Sequence, residues 1–201
     1  EHFDLSRISL GGPIFDTTKL DWLNGTWIRE ELDDDAFADS VAEWALNREH
    51  LMRLIPLVRP RVNKWSDLAP MVSFFLDGLM PLTPEKLTFK GLEQSDVRKV
   101  YAYSMWTLDA LDTWDADSIQ PALRDLSNRM DMKLRIFLAP FFMAIAGRAS
   151  ATPLFNTMAI LGKDMCRARL RHGLDTLKPM SGKEQQRWRK EYDALMASDP
   201  A

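Results

Sequence analysis

The chain has 201 residues, 46% of them hydrophobic, 27% charged and 10% aromatic, enough for one or two globular domains and too apolar for disorder. No apolar run approaches the ~18–20 residues that cross a bilayer, and Glu1-His2-Phe3-Asp4 shows no signal peptide. One cysteine, Cys166, excludes an internal disulfide framework and a cysteine-rich zinc site, so a reducing, cytoplasmic setting is expected. The net charge of −3 is unevenly spread. Residues 1–132 carry 14 positive and 23 negative side chains, whereas residues 133–201 carry 12 and 6. Such a split suits a chain whose C-terminal third meets an anion.

In chain order, almost every segment reads as helix. Asp33 can cap a helix carrying Phe37, Val41, Trp44 and Ala45 on one stripe. Leu51, Leu54, Ile55 and Val58 form a second stripe. Thr83-Pro84-Glu85 places a hydroxyl before a first-turn proline and predicts a helix start. Val97, Tyr101, Leu108 and Leu111 share a face of a longer helix. Leu134, Phe137, Leu138, Phe141 and Ile145 form another stripe, and Met158, Ile160 and Leu161 a shorter one. Ser181-Gly182-Lys183-Glu184 has capping-box spacing, and Trp188, Tyr192 and Leu195 at i, i+4 and i+7 predict a docked last helix with a frayed end. Period-2 alternation is nearly absent. The expected fold is an all-α cage of roughly ten short helices, given a typical helix length of ~11 residues. Its main internal boundary is expected near Leu111 to Asp117.

No catalytic constellation emerges. His2, His50 and His172 are scattered without metal-ligand spacing. Cys166 has Arg167 and Arg169 beside it, yet reads as a small, half-buried residue. The acidic run Glu30-Glu31-Leu32-Asp33-Asp34-Asp35 lacks the spacing of a calcium loop and reads as a helix start. Met180-Ser181-Gly182-Lys183 is a poor match to a nucleotide-binding KMSKS loop, at the wrong end of the chain.

The opening segment carries more. Ser9-Leu10-Gly11-Gly12-Pro13-Ile14-Phe15-Asp16, Lys19 to Gly25 and Trp27-Ile28-Arg29-Glu30 closely resemble bacterial glutamyl-tRNA synthetases, a class I aminoacyl-tRNA synthetase family. Leu57-Val58-Arg59-Pro60-Arg61 resembles the family's Leu-x-Arg-Pro-Arg helix end. Lys133 to Gly147, Thr152-Pro153-Leu154-Phe155, Ile160 to Asp164 and Arg167 to Arg171 resemble its last helices. The match runs from about Asp4 to Leu177.

The resemblance implies the stem-contact and anticodon-binding region of a glutamate–tRNA ligase, with a two-subdomain helical cage. Residues 1–32 would end the stem-contact region, 33–112 and 113–178 would be the two anticodon-binding subdomains, and 179–201 a C-terminal helix and tail. The Rossmann domain with its HIGH and KMSKS motifs would lie upstream. The chain alone would then be inactive and hold no cofactor, with ATP and Mg2+ expected for the full-length enzyme. The implied partners are tRNA(Glu), through its anticodon loop and stem, and the upstream catalytic domain. A monomer and no membrane are expected.

The resemblance also implies an RNA-facing set: Arg59, Arg61, Arg148, Thr152, Pro153, Leu154, Lys163, Arg167 and Arg171. Arg167 and Arg171 share a helix face at i, i+4, and Arg169, a further basic candidate, points elsewhere. In the family motif the arginine at the place of Arg61 reads the third anticodon base. Alternatively, Arg61 caps its helix or pairs with Asp67. Where relatives often have Pro-Leu-Arg, this chain has Pro140-Phe141-Phe142, so Phe142 would replace a charge contact with packing or stacking. Two other readings stay open: a non-discriminating enzyme that also charges glutamine tRNA, and a helical protein-interaction module anchored by tryptophans among Trp65, Trp106, Trp114 and Trp188.

Overall fold

A computed structural model describes residues 16–45, 47–149 and 152–197. Among them the chain forms ten α-helices and no strand, as the periodicities lead one to expect. In order these are α1 (Thr17–Glu30), α2 (Asp34–Ala45), α3 (Arg48–Val58), α4 (Leu68–Leu76), α5 (Gln94–Asp109), α6 (Ala116–Arg129), α7 (Leu134–Ala146), α8 (Leu154–Leu161), α9 (Lys163–Leu177) and α10 (Gly182–Ala197). Short 3-10 turns at Arg59–Arg61 and Trp65–Asp67 join α3 to α4, and a third covers Glu85–Leu87. Thr83-Pro84-Glu85 therefore starts one tight turn and no longer helix. The motif at Ser9 to Phe15, His2 and the end expected to fray after Ala197 lie outside the described residues.

The chain divides into two compact units, 1–48 and 49–201. In the first, Asp16 accepts from the Lys19 amide at 3.1 Å and opens α1, and Asp33 accepts from the Ala36 amide at 2.8 Å and opens α2. The acidic run of residues 30–35 is thus the end of one helix and the cap and first turn of the next. Among the described residues no group of His, Cys, Asp or Glu is placed to hold a metal ion.

The second unit has two cores. The larger takes the buried faces of α5 to α10, including Tyr101, Ile119, Leu123, Phe137, Phe141, Met158, Leu170, Trp188 and Tyr192. The smaller joins Leu54, Leu57 and Val58 of α3, Phe74 and Phe75 of α4, Met80, and Ala146 at the end of α7. The expected boundaries at 112/113 and 178/179 fall inside the larger core, which α5, α6 and α10 share. Phe142 is half-buried against that core, so it packs rather than stands out as a platform.

Helix α10 docks as its pattern predicts. Trp188 and Tyr192 are buried. The Ser181 hydroxyl accepts from the Glu184 amide at 3.2 Å, so the serine caps the first turn of α10 as its spacing predicts. Arg98 on α5 donates twice to the Glu184 carboxylate, at 2.8 Å each, and lies over the Trp188 ring at 4.9 Å.

Candidate nucleic-acid interface

The turn Arg59-Pro60-Arg61 ends α3. A proline cannot donate a backbone hydrogen bond, and this one opens a 3-10 turn instead of another α turn. Both arginines are exposed. One Nη1–H of Arg61 is donated to the Leu57 carbonyl at 2.6 Å, which closes the last turn of α3. A guanidinium has five N–H groups, and the other four have no partner among the described residues. Asp67 accepts the Asn63 and Lys64 amides at 3.1 Å each, so it shapes the next turn instead of pairing with Arg61. Arg59 stands at the mouth of an apolar cleft of about 520 Å³ walled by Leu54, Ile55, Val58, Val62 and Val72, with Trp65 at its rim.

The remaining candidates divide sharply. Arg148 is half-buried, its guanidinium 5.5 Å from the Phe74 ring centroid. Thr152 and Leu154 turn inward: the Thr152 hydroxyl shares a 2.6 Å hydrogen bond with Thr157, and Leu154 joins the larger core. Pro153, between them, is exposed and opens α8. Lys163 is half-buried and donates to the Asp109 and Leu111 carbonyls at 2.9 and 3.2 Å, which caps α5. Arg167 reaches the Asp109 carboxylate at 3.4 Å with a side chain 57% exposed, so Lys163 and Arg167 meet at one helix end. Arg171, one turn further on the same face of α9, is exposed. Among these candidates, the exposed guanidinium groups are thus Arg59, Arg61, Arg167 and Arg171.

Arg169 is a correction to the basic set. Spacing separates it from Arg167 and Arg171, and the structure shows where it goes: it is fully buried. Its Nε–H is donated to the Gly78 carbonyl at 2.9 Å and its Nη2 to Phe74 at 2.6 Å and to Asp77, while Nη1 bonds to the Ile145 carbonyl. Cys166 is fully buried as well, with Sγ 3.5 Å from the Met158 carbonyl. Burial pushes its thiol up to about 12, against the smaller opposing influence of Arg169. His172 donates from Nε2 to the Met80 carbonyl at 3.0 Å, a structural contact. Among the tryptophans offered as anchors, only Trp65 stands out, 88% exposed. Trp188 is buried, Trp106 packs against Tyr103 and Tyr192, and the Trp114 indole donates to the Met158 carbonyl at 2.9 Å.

A model of the anticodon binding domain matches residues 36–174, which run from α2 to the last turn of α9. The chain belongs to this family. The glutamate–tRNA ligase of Marinomonas sp. (strain MWYL1) is 47% identical over 195 residues, covering 97% of this anticodon binding domain chain and 40% of that protein. The glutamate–tRNA ligase of Saccharophagus degradans is 42% identical over 194 residues, covering 96% and 39%. The chain therefore spans about 40% of the length of these curated relatives. A crystal structure of a glutamate tRNA ligase from Elizabethkingia meningosepticum, in complex with its amino acid, shares the fold at a TM-score of 0.56 and 19% identity, over 88% of this chain and 36% of that one. Helix α10 lies beyond the residues matched to the anticodon binding domain. No helix among the described residues is long and apolar enough to cross a membrane.

Proposed function

We propose that this chain is the tRNA-recognition part of a glutamate–tRNA ligase, an enzyme that attaches glutamate to tRNA(Glu) with ATP and Mg2+. The observation that carries the reading is the exposed Arg59-Pro60-Arg61 turn, in an anticodon binding domain whose relatives are named glutamate–tRNA ligases. ATP and Mg2+ belong to the chemistry of the whole ligase, and this chain's share is to hold RNA.

The division of labour follows from the side chains. Bases of a single-stranded loop can be splayed out and read along their pairing edges. Phosphate contacts fix register without reading sequence. Arg167 and Arg171, one turn apart, suit the phosphate role. Arg61 suits the base role, because its anchor on Leu57 orients a group that can only donate. Cytosine offers O2 and N3 as acceptors on its pairing edge, whereas guanine presents N1–H and N2–H there. An arginine at this place favours cytosine, and hence glutamate tRNA over glutamine tRNA, at the third anticodon position. Arg59 and Pro153, both exposed, are further candidates for contact with the loop. Arg148 and Lys163, already engaged within the protein, steady the surface.

The test is binding of the chain to two anticodon hairpin RNAs that differ only in cytosine or guanine at the third anticodon base, across a salt series. The expected result is preference for the cytosine hairpin and a linear fall of log affinity with log salt. Salt-independent binding, or none, would overturn the reading and favour a protein-interaction module. Equal binding to both hairpins would favour a non-discriminating ligase.

A further inference from the structure

We infer that Arg169 is the positioning residue of the RNA site: its buried guanidinium locks the Arg59–Arg61 arm onto the α7–α9 layer. This rests on the reading proposed above. A fully buried arginine is rare because a desolvated charge is costly unless every donor finds an acceptor. Here four N–H bonds end on carbonyl oxygens of two different helix ends. Phe74, Asp77 and Gly78 are the last turn of α4 and the residues that follow it, and Ile145 lies in the last turn of α7. Helix C-termini carry unpaired carbonyls and partial negative charge, so one cation answers both ends at once.

The placement matters for the RNA site because of what α4 carries. Phe74 and Phe75 pack with Leu54, Leu57 and Val58 of α3, and the Arg59–Arg61 turn grows directly from that helix. Leu57 is also the residue whose carbonyl orients Arg61. On the other side, α7 leads to Arg148, and α9 itself bears Arg167 and Arg171 one turn apart around Arg169. One residue thus fixes the base-reading arm relative to the phosphate-holding helix. Lysine cannot replace it, since three donors on a point-like ammonium cannot span four carbonyls of two helices. Arg169 never meets RNA, which separates its effect from that of a contact residue.

The experiment compares the wild-type chain with Arg169→Lys and with Arg169→Gln, whose neutral amide leaves no buried charge if the lysine variant folds poorly. Each is taken at a temperature where circular dichroism shows wild-type helix content. Both hairpins are titrated over the salt series. The expected result is a roughly tenfold loss of preference for the cytosine hairpin, the scale of one base contact, with an unchanged salt slope. Combining Arg169→Lys with Arg61→Gln should add less than twofold, because both act on one contact. Full preference in a folded variant overturns the inference, and so does a slope reduced by about 0.7, the mark of a missing phosphate contact. A second readout needs no substitution. In the wild-type chain, the cytosine hairpin should slow amide exchange at residues 74–78 and 145–147 more than the guanine hairpin does, and equal slowing overturns the inference. If the wild-type chain binds neither hairpin or prefers neither, the underlying reading fails instead.

Discussion

The ring of Tyr101 on α5 lies against Gly173 on α9, so closely that a Cβ at residue 173 would stand 3.0 Å from Cε2 and 3.1 Å from Cζ. Tyr101 has no room to yield: it is fully buried, and its hydroxyl donates to the Pro140 carbonyl of α7 at 2.9 Å. One tyrosine therefore ties three helices of the larger core, and the glycine permits their approach. Burial holds the phenol well above its ordinary pKa, so it stays a donor throughout the stable range. Gly173→Ala would gain about 1 kcal/mol of helix propensity but meet an overpacking cost of about 1–3 kcal/mol. The expected outcome is a net loss and a melting temperature lowered by a few degrees, read by calorimetry. A melting temperature equal to or above wild type would show that the ring has slack.

Cys166 should be inert in the folded chain. Its thiol is buried and pushed up to about 12, so almost no thiolate exists at neutral pH. Alkylation by iodoacetamide at pH 8 should proceed only as fast as the protein opens, and reach the free-thiol rate in denaturant. Fast labelling of native protein would mean that the α8–α9 region opens locally.

Docking of α10 should weaken in acid. Hydrogen bonds from Arg98 hold the Glu184 carboxyl below its usual value, and those from Lys99 do the same for Glu191. For a carboxylate with a lowered folded-state pKa, the unfolded chain binds more protons. The stabilisation is full above the unfolded value of about 4.3 and is lost as pH falls through the folded one. Glu184 is the stronger partner, with its side chain 16% exposed against 8% for Arg98, whereas the Glu191 side chain is 40% exposed. Glu184→Gln should cost about 1.5–3 kcal/mol at neutral pH, the range for a hydrogen bond to a charged group, and remove most of the acid dependence. Amide exchange along residues 182–197 against pH reads both. An α10 that loosens equally with pH in both proteins would place the acid sensitivity elsewhere.

Periodicity made most of the helices and their inner faces legible. Val97, Tyr101 and Leu108 are buried on α5, as are Phe137, Phe141 and Ile145 on α7. Caps at Asp33 and Ser181 were legible too, because a cap is decided within four residues. The site was only half legible. Spacing separates Arg169 from Arg167 and Arg171, but cannot say which face of α9 is inside when all three residues are arginine. That depends on carbonyls more than 90 residues earlier at Phe74, Asp77 and Gly78. Thr152 and Leu154 flank an exposed proline in a short motif, and nothing local marks them as packed. A lysine that caps a helix and one that holds a phosphate are written alike, so Lys163 gave no sign of its bond to the end of α5.

Two basic residues of α9 should behave differently on substitution. Arg171 is exposed, so Arg171→Ala should leave stability unchanged while lowering the salt slope of RNA binding by about 0.7–1. Lys163 caps α5 through two carbonyls, so Lys163→Met should cost about 1–2 kcal/mol of stability and leave the slope alone. The pair of measurements is a melt and a salt series for each variant. The reverse pattern would exchange their roles.

Base choice is tested by Arg61→Gln. Glutamine carries both a donor and an acceptor, so it can satisfy cytosine or guanine where arginine satisfies only an acceptor edge. Removing one such bidentate pairing should change discrimination by about 1–3 kcal/mol, roughly one to two powers of ten. Stability should fall little, because the substitution breaks the 2.6 Å hydrogen bond to the Leu57 carbonyl at a helix end where Arg61 is exposed to water. The 3-10 turn itself is set by Pro60, which stays. The measurement is the ratio of affinities for the cytosine and guanine hairpins in both proteins, with a thermal melt beside it. A ratio that collapses at unchanged stability identifies Arg61 as the reader. A preserved ratio with a lowered melting temperature would make it a helix cap alone and move base reading to the other exposed candidates, Arg59 and Pro153.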